Sequence, residues 1–306
     1  MTAAATSVGF RCRLLYLSRA AQPFLPAASE RGTLVSKAML RSSCAFLAGL
    51  LAVVLVASCS SVAVTGRKQL NLVSDSEMLS TSTQQYEQFM KENKLSTNTE
   101  QTERVKRVGA KIQAAVEEYA KTHNRSSDLA GYAWEFNLVE SNEVNAWCMP
   151  GGKVVFYTGI MPVCQDDDGV AVVMGHEVAH AVAKHGAERM TEQLGVQMGG
   201  QALQAALGSK PAQTQQLWMS AFGAGAQYGL LMPFERGQES EADHLGLIFM
   251  AMAGYDPHHA VDFWKRMGQA AGGEKPPEFM STHPSDEHRI QKIQEQLPEA
   301  LTYYKK

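Results

Sequence analysis

The chain has 306 residues, 45% of them hydrophobic and 19% charged, with 25 Gly and 11 Pro. That balance excludes a disordered or collagen-like protein and leaves material for one sizeable core. Of 28 basic and 31 acidic side chains, six and one fall within residues 1–58, so the remainder carries 22 bases and 30 acids, a net of −8. A domain so acidic lacks the basic face that nucleic acid requires, and no nucleic-acid partner is expected.

The most apolar stretch, CAFLAGLLAVVLVAS at 44–58, is uncharged. Its 15 residues fall short of the ~20 that span a bilayer. Behind Arg41 they fit the apolar region of a signal peptide. Small residues then precede Cys59 in Val56-Ala57-Ser58-Cys59, which resembles the lipobox of bacterial lipoproteins. Cleavage before Cys59 and acylation of its thiol would hold the chain on a membrane without a spanning helix. On this reading Met39 is the natural start, 39–58 is a lipoprotein signal peptide, and 1–38 is a mis-called extension. Residues 1–58 are also Arg- and Ser-bearing and acid-poor, so a mitochondrial presequence is the second reading. Cleavage leaves Cys59, Cys148 and Cys164. The last two are either a disulfide, which an oxidising compartment permits, or two buried thiols.

After a polar tether over 59–73, Ser74-Asp75-Ser76-Glu77 reads as a capping box opening a helix. A second helix over 100–119 places Val105, Val108, Ile112, Ala115, Val116 and Tyr119 on one face. The pattern then shifts to alternation at 132–138, with further strands at 144–149 and 153–158 joined through Pro150-Gly151-Gly152. Asp166-Asp167-Asp168 suits the start of a long helix running to about residue 190. Residues 191–234 hold only two charges, Glu192 and Lys210, and Pro211 divides them into two helices. They read as a packed helical hairpin or as a mobile or membrane-facing cover over a cleft. Helices follow at 237–252, at 260–267 behind an Asp256-Pro257 start, and at 286–297.

Inside the long helix stands His176-Glu177-Val178-Ala179-His180. At ~100° per residue the two histidines lie ~40° apart on one face, where both imidazoles can reach one metal. Glu177 projects beside them, placed to take a proton from water at that metal. Such a five-residue pattern recurs by chance, but its apolar neighbours Val172, Val173, Val178 and Val182 make this a core helix. Two His and a Glu buried there are costly without a partner such as a metal. His185 falls ~140° round the same helix and should point away from the site. Glu239-Ser240-Glu241-Ala242-Asp243 supplies a better third ligand. Glu239 can ligate, while Asp243, one turn on, accepts a hydrogen bond from His176 and fixes its tautomer. Glu241 is expected on a solvated face.

HEVAH, followed some sixty residues later by ESEAD, resembles the zinc metalloendopeptidases related to HtpX and the CAAX prenyl protease. The chain is more similar to their periplasmic lipoprotein and Oma-like members, such as BepA and LoiP. NAWCMPGG before the active-site helix, GYDP at 254–257 and THPSDEHR at 282–289 belong to the same resemblance, which covers about 74–306. Two departures stand out: no set of transmembrane helices, unlike HtpX, and no C-terminal helical-repeat domain, unlike BepA.

The resemblance implies an α+β fold, a mainly helical zincin-like (gluzincin) peptidase domain with a small mixed β-sheet beside the active-site helix. It implies one zinc per chain, held by His176, His180 and Glu239, with Glu177 as general base and later acid. His283 would sit near the metal, stabilising an oxyanion or latching the open position; otherwise it is a loop residue capping the next helix. Arg289 would support that loop or pair with a carboxylate. An edge strand holds extended substrate in zincins, which makes Asn145 and Ala146 candidate backbone contacts. The implied role is quality control of unfolded or misassembled envelope proteins, by an enzyme facing the periplasm on acyl chains at Cys59. Rivals are a mitochondrial inner-membrane peptidase of the same chemistry and a latched or non-catalytic zinc lipoprotein that binds such partners.

Overall fold

The computed structural model describes residues 59–62, 65–271, 277–283 and 288–304. The proposed extension at 1–38 and signal peptide at 39–58 lie outside them.

Local signals place the first helices. Ser74 Oγ accepts from Glu77 N–H at the head of α1 (Asp75–Glu92), and Asn98 Oδ1 accepts from Gln101 N–H at the head of α2 (Thr99–Thr122). The expected stripe of α2, from Val105 to Tyr119, is buried.

The 59–73 segment is more than a tether. β1 (Cys59–Ser61) and β2 (Lys68–Leu70) pair antiparallel, and the hairpin buries Val62 and Gln69. Charged and polar residues obscured this in the sequence, because their partners lie more than a hundred residues away.

The three-stranded sheet has the order β3 (Glu135–Val139), β5 (Lys153–Tyr157), β4 (Ala146–Met149). β3 runs parallel and β4 antiparallel to β5. Gly151 and Gly152 turn β4 into β5 at φ 92° and 79°, which side chains resist. Val154, Val155 and Phe156 are fully buried because β5 is central. β4 forms an edge beside the helix that carries the histidines.

That helix is α4 (Asp167–Val182), preceded by α3 (Met161–Cys164) and capped by Asp166. It is buried without interruption from Gly169 to Ala181. The predicted helix to residue 190 breaks, however: Lys184 is left-handed at φ 58° and a new helix, α5 (His185–Leu207), departs from it. Then come α6 (Ala212–Ala226) behind Pro211, a π-helical turn (Gln227–Leu231) and α7 (Met232–Met252), which starts earlier than expected. α5 and α6 make the anticipated hairpin, but it is not packed into the core. Met219 and Phe222 lie against Gly199 and Gly200, whereas Leu194, Met198, Leu217 and Trp218 are exposed. No described helix is long and apolar enough to cross a membrane.

α4 and α7 pack along each other at close range. A Cβ on Gly175 would fall 2.7 Å from Gly246 O, and one on Gly246 would fall 2.8 Å from His176 N. α8 (His259–Ala271) starts just after Pro257 and buries Phe263, Trp264 and Met267. α9 (Glu278–Thr282) and α10 (Arg289–Thr302) complete the domain. Cys148 and Cys164 are free thiols. The fold is thus mainly helical α+β, as expected.

Candidate metal centre

Three parts of the fold converge on one buried point. α4 contributes His176 and His180, α7 contributes Glu239, and the end of α9 contributes His283. One donor atom from each lies within 4.8 Å of all the others. His176 Nε2 is 3.1 Å from His180 Nε2, and both are 3.3 Å from a Glu239 oxygen. His283 Nδ1 is 3.0 Å from Glu239 Oε2 and 3.1 Å from His176 Nε2.

The donor set fits zinc, which favours imidazole nitrogen and carboxylate oxygen in fourfold coordination. Outside the cluster, His176 Nδ1 faces Asp243 Oδ1 at 2.9 Å, so its proton sits there. His180 Nδ1 likewise faces outward, toward His185 Nδ1 at 2.8 Å. The two Nε2 atoms thus converge to 3.1 Å, each 3.3 Å from a Glu239 oxygen, an arrangement that accommodates a cation among them. Glu177 Oε1 is buried beside them with no hydrogen-bond partner, although His283 Nε2 is 3.3 Å away. An unpartnered carboxylate oxygen there leaves an acceptor for water at the metal.

Asp243 is held in turn. Arg289 donates to it twice at 2.8 Å and to His283 O at 3.3 Å. The guanidinium lies 3.4 Å above the Trp264 ring, so the indole supports the arginine from below. Trp264 falls within the helix expected at 260–267, and sequence reasoning assigned it no part in the site. Its spacing on α8 carries no sign that Arg289 would stack there.

Two expectations are overturned. His185 does not point away, because the break at Lys184 turns its ring back against His180. Glu241 is not solvated but 6% exposed, accepting from His185 Nε2 at 3.0 Å and from Arg67 Nε at 3.0 Å. A continuous helix was assumed in the first case, and the docking of the β1–β2 hairpin was unforeseen in the second. Arg189, also unforeseen, reaches Gln238 Oε1 at 2.6 Å and Glu239 Oε1 at 3.3 Å.

Burial and charge act against each other on the titrating groups. Burial lifts Glu177 above the ordinary carboxylate value, against the lowering influence of His283 and His176. Burial would lift Glu239 too, but the imidazoles of His180, His176 and His283 around it hold it well below. Burial lowers His180 well below the usual imidazole value. Against the same burial, Asp243 and Glu239 raise His176 to about 9.

Asn145 and Ala146 lie at the start of β4. Asn145 O accepts from Tyr157 N–H, and Asn145 Oδ1 from Ala146 N–H at 2.9 Å. Ala146 is buried. Phe279 N–H donates to Val144 O at 3.1 Å, which joins α9 to the same strand.

The family model described as Peptidase family M48 matches residues 106–297. The chain is similar to the mitochondrial metalloendopeptidase OMA1 of Schizosaccharomyces pombe, 39% identical over 175 residues covering 57% of this chain and 50% of that protein. It is 30% identical to OMA1 of Homo sapiens over 247 residues, 78% of this chain and 46% of the relative. The beta-barrel assembly-enhancing protease of Escherichia coli is 30% identical over 163 residues, 51% and 33% of the respective chains. This chain therefore spans half or less of the length of these three relatives.

Proposed function

Because the chain belongs to peptidase family M48, we propose that it is a zinc-dependent metalloendopeptidase. The convergence of His176, His180 and Glu239 beside the unpartnered oxygen of buried Glu177 carries this reading. Zinc, when bound, acidifies water and polarises a peptide carbonyl. Glu177, lifted by burial, takes up the proton and returns it to the leaving amine. Asp243 and Arg289 hold the His176 ring. His283 stands with the ligands, where it either latches the site at rest or, once displaced, hydrogen-bonds the developing oxyanion. An extended substrate adds along the edge strand β4, near Asn145 and Ala146.

Casein cleavage and zinc content of the full chain, with Glu177→Gln beside it, test the reading. Cleavage lost in the variant while zinc is kept supports the peptidase. Zinc bound without cleavage by either protein favours the binding-protein alternative, and His283→Ala then separates a latched enzyme from an inert one.

The biological setting we propose is a membrane surface, reached through acyl chains on Cys59, with unfolded or misassembled envelope proteins as substrates. The lipobox-like Val56-Ala57-Ser58-Cys59 supports this. Relatives named mitochondrial support the second setting, a mitochondrial membrane. The mass of the mature N-terminal peptide distinguishes them: an acylated Cys59 supports the lipoprotein, and an unmodified end elsewhere supports the organelle.

A further inference from the structure

His176 and His180 are oriented by two unlike devices. Each faces the cluster through Nε2, and an imidazole that ligates a metal through Nε2 keeps its proton on Nδ1. His176 donates directly to a carboxylate, Asp243, clamped by Arg289. His180 has no carboxylate at Nδ1. Its partner is His185 Nδ1, which must accept, so the His185 proton lies on Nε2. That proton is donated to Glu241 Oε2 at 3.0 Å. Glu241 is gripped by Arg67, whose Nε lies 3.0 Å and whose Nη2 lies 2.9 Å from the same oxygen, and by the Thr65 hydroxyl. Arg67 is fixed in turn by two hydrogen bonds to Glu188 at 2.6 and 2.8 Å. Glu188 also accepts from Gln238 at 2.7 Å.

His185, Glu188 and Glu241 are all buried, and each hydrogen bond in this chain has one permitted direction once His180 Nε2 faces the cluster. The second guanidinium nearby, Arg189, lies 3.5 Å from His180 Nδ1 and can only donate, so it cannot replace His185 as the acceptor. Taking these ionised groups out of water is costly, and a hairpin needing only to pack would do so with apolar contacts. Arg67 stands between β1 and β2, in the segment that follows Cys59.

We propose that Arg67 is a positioning residue of the metal centre: through Glu241 and His185 it fixes the tautomer and orientation of His180. The hairpin after Cys59 is then a working part of the site rather than a tether. This rests on the metal-centre reading above, and the test separates the two.

Zinc affinity is measured by chelator competition on the full chain, on Arg67→Ala, on His185→Leu and on His185→Gln, with circular dichroism to check folding. Glutamine can accept from His180 and donate to Glu241 as the imidazole does, whereas leucine fills the space and does neither. Arg67→Ala and His185→Leu should bind zinc about 10–100-fold more weakly, as lost ligand-orienting partners do. His185→Gln should stay within a few-fold, and Arg107→Ala, which cuts an exposed pair with Asp167, should change nothing. Nitrogen-15 shifts should show His185 protonated at Nε2. Equal affinity for Leu and Gln at 185, unchanged affinity in Arg67→Ala, or a proton on His185 Nδ1 overturns the inference. An unsubstituted chain without zinc affinity overturns the metal centre itself, and the inference with it.

Discussion

Arg289 clamps Asp243 with two hydrogen bonds of 2.8 Å from the far side of the His176 ring, and neither residue contributes a donor atom to the four-residue metal cluster. The pair is buried, so its members are coupled in opposite senses. Asp243→Asn keeps the shape but removes the anion that sustains His176, and zinc affinity should fall about 10–100-fold. Arg289→Ala strips the buried Asp243 carboxylate of its guanidinium, leaving only the His176 imidazole beside it, and should cost about 3–5 kcal/mol of stability in urea titration. A zinc titration and an unfolding curve on both variants check this, and an Arg289→Ala protein as stable as the parent would refute it.

Gly246 is a second buried dependence. A methyl group there meets the His176 backbone nitrogen at 2.8 Å, and neither helix backbone can yield locally. Gly246→Ala should cost about 1–3 kcal/mol through overpacking and weaken zinc binding by separating Glu239 from the histidines. Gly268, on the exposed face of α8, meets nothing within 4 Å. Gly268→Ala should instead raise stability by about 0.5–1 kcal/mol. Thermal unfolding of the two variants gives opposite signs if the helix crossing is as tight as the structure shows.

Metal removal should unfold the site from within. Without a cation the Nε2 atoms of His176 and His180 and the Glu239 carboxylate crowd one buried point with nothing to coordinate. Zinc at a thousand times its dissociation constant contributes about 4 kcal/mol to the native state. A chelator should lower the melting temperature, and added zinc, but not magnesium, should restore it.

Glu192 gives the hairpin a pH dependence. Burial and the neighbouring Glu188 push its carboxyl up to about 7, and its Oε1 has no partner. The folded value lies above the ordinary 4.5, so the folded chain holds the proton more tightly over that interval. This contribution is full below about pH 4.5 and is lost as the pH rises through 7. The group is partly exposed, so solvent screening reduces the effect to on the order of 1 kcal/mol. Melting temperatures from pH 5 to 8 should fall less steeply in Glu192→Gln than in the parent.

Much of this protein was legible in the sequence because the relevant physics is local. The capping box at Ser74, the helix start at Asp166, the buried stripe of α2 and the spacing of His176 and His180 all depend on residues within a turn or two. The pairing of Asp243 with His176 was also foreseeable, since Glu239 and Asp243 share one helix face and must reach α4 together. Tertiary structure alone decided what depended on distant partners. The left-handed Lys184 turned His185 from an outward-facing residue into the support of His180. Docking of the β1–β2 hairpin turned Glu241 from a surface charge into a buried partner of Arg67, 174 positions away. The α4–α7 crossing at Gly175 and Gly246 set how near Glu239 comes to the histidines. Sequence periodicity reports which face of an element is apolar. It carries no information about which charged side chain from elsewhere will neutralise a buried one, and in this protein those pairings complete the site.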